Sequence, residues 1–74
     1  MKEALLQVKL GAAIRELRMA LDLSQEAFAD SIKMHRAYYS KIERGERNVT
    51  LVTLWRVAGG LGLVPSQLLQ RAGI

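Results

Sequence analysis

The sequence predicts an all-α fold, a compact five-helix bundle. Three observations carry that prediction. Apolar residues recur at helical spacing in two stretches, Leu10, Ile14, Leu17, Leu21 and then Leu51, Leu54, Val57, Ala58, Leu61. That spacing marks one face of a helix with about 3.6 residues per turn. Capping residues and glycines punctuate the chain between such stretches. No β pattern, repeat or low-complexity tract interrupts them.

The elements follow in order. Helix 1 is expected from about Leu6 to Leu21, with Lys9, Arg15, Glu16 and Arg18 off its apolar stripe. The segment before it extends the helix or frays. Ser24 is a good N-cap for helix 2, about Gln25 to Ser31, and Gln25 and Glu26 suit its positive end. Ala27, Phe28 and Ile32 face inward. Ile32, Lys33 and Met34 form the turn. Helix 3 runs from about His35 to Arg44 and stops at Gly45, a residue suited to a left-handed helix end. Thr50 caps helix 4. Gly59 and Gly60, each costing about 1 kcal/mol relative to alanine, weaken its end or allow close packing there. Gly62 stops it, and Pro65 suits the first turn of helix 5, about Pro65 to Gln70.

Seventy-four residues make one domain, spanning 1–74. A chain this short buries roughly 60% of its unfolded surface, so its stability must come from helix packing, with or without help from a partner subunit. Half of the residues are apolar, which argues against disorder. There is no cysteine, hence no disulfide or thiolate metal site. The apolar run at the start is broken by Glu3, Gln7 and Lys9, unlike a signal peptide. No stretch approaches about eighteen apolar residues. A soluble, cytoplasmic domain is expected. One histidine and scattered serines offer no triad, metal cluster or phosphate loop, so no enzyme, cofactor or metal is expected.

The net charge of +4 is unevenly placed. Residues 1–32 hold four basic against five acidic side chains, residues 33–56 hold six against two, and only Arg71 follows. A localised basic excess suggests a polyanionic partner. On a wheel of helix 3, Tyr39 and Ile42 point one way. Arg36, Ala37, Ser40, Lys41 and Arg44 point the other. Small residues let a helix approach a surface, and long cations reach past it. This suits a helix in a DNA major groove, where arginine and lysine donate to guanine O6 and N7. A charged outer face of a bundle helix is the plainer reading. A short helix, a tight turn and a second helix with a basic outward face favour helix-turn-helix geometry, with the motif at about 25–44.

The run Leu23-Ser-Gln-Glu26, then Ala29, then "YYSKIERG" and "ERNVTL", with "VPSQLL" for helix 5, resembles the phage-repressor and Cro type of helix-turn-helix, the Xre-like regulators. The resemblance covers about Leu10 to Leu69. "HRAYYSKIERGERNVTL" is closest to controller proteins of restriction–modification systems. The resemblance implies a lambda-repressor-like DNA-binding domain. It implies base contacts by Arg36, Ala37, Ser40 and Lys41, with Ala37 against a thymine methyl group. It implies backbone or groove-edge contacts by Gln25, Tyr38, Arg44, Arg47 and Asn48. Ala29 matches a small residue packed between helices 2 and 3, and Tyr39 and Ile42 match core positions. The Tyr39 hydroxyl needs a partner. The resemblance also implies a structural ion pair between Arg18 and Glu43. Three positions depart from the pattern. Lys33 and Asp22 stand where glycine is usual, and His35 stands where a serine, threonine or aspartate cap is usual. His35 is expected to be an exposed cap or phosphate neighbour, not a metal ligand.

One such domain touches little DNA, and members of this family commonly dimerise on two half-sites. The expected partners are therefore double-stranded DNA and a second copy of the chain, binding a palindromic operator. The candidate dimer interface is the apolar surplus near the C-terminus, within about 50–70: Val52, Trp55, Leu61, Val64, Leu68 and Leu69. Trp55 is an interface anchor or caps the core edge. The alternative function is an antitoxin or adaptor-like protein-interaction module of the same fold. Salt-dependent shifting of random duplex DNA separates the two.

Overall fold

The computed structural model describes residues 3–74. Five helices succeed one another: α1 Glu3–Ala20, α2 Gln25–Ser31, α3 Arg36–Glu43, α4 Leu51–Gly60 and α5 Pro65–Ala72. There is no strand among the described residues. Helix α1 packs on α3 and α5, α2 packs on α3, and α4 packs on α5. No described helix is long and apolar enough to cross a membrane.

Local chemistry sets the helix ends. Ser24 Oγ accepts from the Ala27 amide at 3.0 Å, and Thr50 Oγ1 accepts from the Thr53 amide at 3.1 Å. Each satisfies one of the amides that a helix start leaves without a partner. His35 caps α3 with Nδ1, which accepts from the Ala37 amide at 3.4 Å, a longer bond than the oxygens make. At α5 the Val64 amide donates to Gln67 Oε1 at 3.0 Å, with Pro65 opening the helix. Helix α3 ends at Gly45, whose φ of 75° an L side chain resists.

The core joins all five helices. Ile14 of α1, Phe28 and Ala29 of α2, Tyr39 and Ile42 of α3, Val57 and Ala58 of α4, and Leu68 of α5 lie in one cluster. The Phe28 and Tyr39 rings meet at 5.2 Å between centroids, tilted by 49°, a favourable aromatic geometry. Helix α1 reaches α3 closely because Gly11 has no side chain. A Cβ there sits 2.5 Å from the Glu43 carbonyl oxygen.

Five expected placements are corrected. Ala27 is exposed, since α2 buries Phe28 and Ala29 instead. Leu21 is exposed, because α1 ends at Ala20 and the chain turns at once through Asp22, with φ 62°. Leu51 is 70% exposed. Periodicity gives the side of a helix on which a residue lies, not how far along that side neighbours extend, and Leu51 stands at the first turn. Leu61 and Leu68 are core residues and are unavailable to a partner. Helix α5 packs on both α1 and α4, which turns Leu68 fully inward, and Leu61 packs into the same cluster at the end of α4. Of the remaining interface candidates, Leu69 is half-buried against the core, while Val52, Trp55 and Val64 are exposed.

Candidate nucleic-acid interface

The frame of the site is a buried charge network at the C-terminal end of α3. Arg18 Nε donates to Glu43 Oε2 at 2.7 Å and Arg18 Nη2 donates to Oε1 at 3.2 Å. Arg18 Nη1 donates to the Leu23 carbonyl at 2.6 Å, so one guanidinium joins α1, the approach to α2, and α3. The Tyr39 hydroxyl donates to Glu43 Oε2, and Gln25 Nε2 donates to Glu43 Oε1 at 2.9 Å. Only 1% of the Glu43 side chain is exposed. Burial pushes its pKa up, but the hydrogen bonds from Arg18, Tyr39 and Gln25 outweigh burial and hold it below the usual carboxylate value. Burial, with the Glu43 hydrogen bond, pushes the Tyr39 hydroxyl the other way, well above an ordinary tyrosine. The side chain of Tyr39 thus fills the core and its hydroxyl has a partner.

On this frame α3 presents its outer face. Arg36, Ala37, Lys41 and Arg44 are exposed, and Ser40 is half-buried between them. Arg36 Nη1 lies 3.9 Å from Glu26 Oε2 in an exposed pair, which is worth little in water. Arg44 Nε donates to Glu46 Oε2 at 3.1 Å, also in solvent. Beyond α3, the Arg47 guanidinium stands 5.1 Å from the centre of the Tyr38 ring. That cation–π contact orders the arginine without neutralising it. Asn48 Oδ1 accepts from Gln7 Nε2, which ties the loop before α4 to α1. The turn between α2 and α3 passes through Lys33 at φ 55°, the left-handed region.

The residues expected to face bases therefore share one side of α3, Tyr38 lies in the first turn of the same helix, and Arg44, Arg47 and Asn48 follow its C-terminal end. Gln25 is placed differently from the rest. Its amide is partly committed inward to Glu43, leaving one N–H free. Sequence reasoning missed the Glu26 and Glu46 partners and the Tyr39 and Gln25 bonds to Glu43. Glu26 and Arg36 lie on different helices, so no periodicity joins them. The Tyr39–Glu43 spacing of four residues on one helix was the available signal.

The helix-turn-helix family HTH_3 matches residues 14–69 of the chain. The control protein C.MunI from a Mycoplasma species is 45% identical over 64 residues, covering 85% of this chain and 86% of that one. The crystal structure of the restriction–modification controller protein C.AhdI from Aeromonas hydrophila superposes with a TM-score of 0.80 at 44% identity, over 84% of this chain and 94% of that one. The clp gene regulator ClgR from Corynebacterium glutamicum superposes with a TM-score of 0.87 at 29% identity, over 92% and 87% of the two chains. The same motif that carries the outward face of α3 is thus shared with regulators along most of their length. The chain belongs to the Xre-like helix-turn-helix family and is a DNA-binding regulator of the controller-protein type.

Proposed function

We propose that the protein is a sequence-specific transcription regulator that binds a palindromic operator as a homodimer, with α3 in the major groove. The observation that carries this reading is the outer face of α3. Long cations at Arg36 and Lys41 stand beside the small residues Ala37 and Ser40, on a helix fixed from behind by the Glu43 network. Arg36 and Lys41 donate to base edges, Ser40 approaches closely, and Ala37 meets a thymine methyl group. Gln25 meets a phosphate, and Tyr38, Arg44, Arg47 and Asn48 hold the register on the backbone or at the groove edge. The likeness to restriction–modification control proteins points to genes of such a system as the target.

The dimer reading rests on exposed apolar side chains of α4 and of the approach to α5. Val52, Trp55 and Val64 are exposed, and Leu51 joins them, lining a shallow hollow with Val52, Trp55 and Arg56. Exposed apolar side chains that cluster mark an interaction surface. Selection of bound sequences from a randomised duplex pool tests the whole proposal. A two-fold symmetric site with half-sites about one helical turn apart is the expected result. Binding without sequence preference overturns it.

A further inference from the structure

We propose that Arg15 of α1 is a further DNA-backbone contact, closing a clamp with Gln25 and Arg44 on one phosphate group. This rests on the DNA-binding reading above and enlarges its footprint from α2 and α3 onto α1. Arg15, Gln25 and Arg44 line one open cleft of about 650 Å³, whose floor is the Arg18–Glu43 pair and whose rim includes Glu46. Three elements meet there, so the three side chains approach from different directions.

The charges in the cleft favour an anion. Arg18 and Glu43 neutralise each other behind the surface, and Glu43 also receives Tyr39 and Gln25. Arg44 and Glu46 neutralise each other in solvent, where phosphate readily displaces such a carboxylate. Arg15 remains. It is exposed, and no carboxylate lies within ion-pair distance of it among the described residues. The sequence explains why. Its neighbours three and four positions away on α1 are Gly11, Ala12, Arg18 and Met19, none acidic. The cleft therefore carries one uncompensated guanidinium with a fork of donors suited to phosphate oxygens. Gln25, pinned to Glu43 through one amide hydrogen, lines the same cleft and has a second amide hydrogen to donate.

The test compares duplex binding by wild type, Arg15→Gln, Arg15→Lys and Arg71→Gln across a range of salt concentrations. Arg71 is the charge-matched control, since it is exposed in a separate hollow beside Ala13, Glu16, Leu17 and Ala20. For Arg15→Gln, the slope of log affinity against log salt should fall by about one. Affinity at moderate salt should drop about tenfold, for operator and random duplex alike. Arg15→Lys should restore the slope, and Arg71→Gln should leave it unchanged. An Arg15→Gln slope equal to that of wild type overturns the assignment while leaving DNA binding intact. A wild-type protein that binds no duplex at any salt overturns the DNA-binding reading, and this inference with it.

Discussion

Glu43 holds a charge with almost no solvent around it, and four hydrogen bonds from three side chains make that possible. Removing one partner of a buried pair leaves the other uncompensated, at about 3–5 kcal/mol. Glu43→Ala should therefore lose about that much stability in urea unfolding, since Arg18 is then stranded. Replacing Arg18 and Glu43 together by methionine and leucine should cost far less. The pH dependence has a definite sign. The folded pKa of Glu43 lies below its unfolded value. Its contribution is fully present above the unfolded value of about 4.3 and is lost as pH falls through the folded value. Melting temperature should fall below about pH 4 more steeply in wild type than in the doubly apolar variant.

At the scale of the element, α4 and the α2–α3 turn show how local rules give way to packing. Gly59 and Gly60 look alike in sequence, yet a Cβ at Gly59 meets nothing within 4 Å, while one at Gly60 lies 3.0 Å from Phe28 Cζ and closer still to Ile32. Gly59→Ala should stabilise the protein by about 1 kcal/mol through helix propensity alone. Gly60→Ala should destabilise it by about 1–3 kcal/mol through overpacking against Phe28 and Ile32. Thermal unfolding of the two variants reads the difference directly, and equal shifts would contradict the packing. The turn carries the opposite lesson. Lys33 occupies left-handed backbone, which costs a non-glycine residue about 1–2 kcal/mol. Lys33→Gly relieves that but frees the unfolded chain by about 0.4–1 kcal/mol. A net gain of about 0.5–1 kcal/mol is expected in denaturant unfolding.

On the scale of the whole molecule, the proposed function assigns the chain two separate interaction surfaces, the basic face of α3 for DNA and the exposed apolar residues of α4 for a second copy. Trp55 is 63% exposed, so it serves no core and is free to anchor a second copy. Trp55→Ala should shift sedimentation toward monomer and leave the unfolding of the monomer within about 0.5 kcal/mol of wild type. A wild type that sediments only as monomer at micromolar concentration would remove the homodimer. Arg36→Ala should weaken operator binding by about 1–3 kcal/mol and relax preference at one base pair. Arg47→Ala should weaken all sequences alike, because its expected role is on the backbone. Competition binding with single-base operator variants distinguishes the two.

The sequence by itself determined the five helices, the caps at Ser24, His35 and Thr50, the helix-turn-helix and the face of α3 that points outward. These follow from short-range chemistry: 3.6-residue periodicity, capping side chains and glycine at helix ends. The Arg18–Glu43 pairing came from the resemblance, not from spacing, because 25 residues separate its members. Tertiary structure alone decided which apolar residues are core and which are surplus. Leu68 and Leu51 each lie on an apolar stripe, but one meets two neighbouring helices and the other meets solvent. It also decided that Gln25 and Tyr39 converge on Glu43, and that Arg15 stands over the same cleft. Burial and long-range electrostatics depend on how far each neighbour extends, and local spacing holds no record of that.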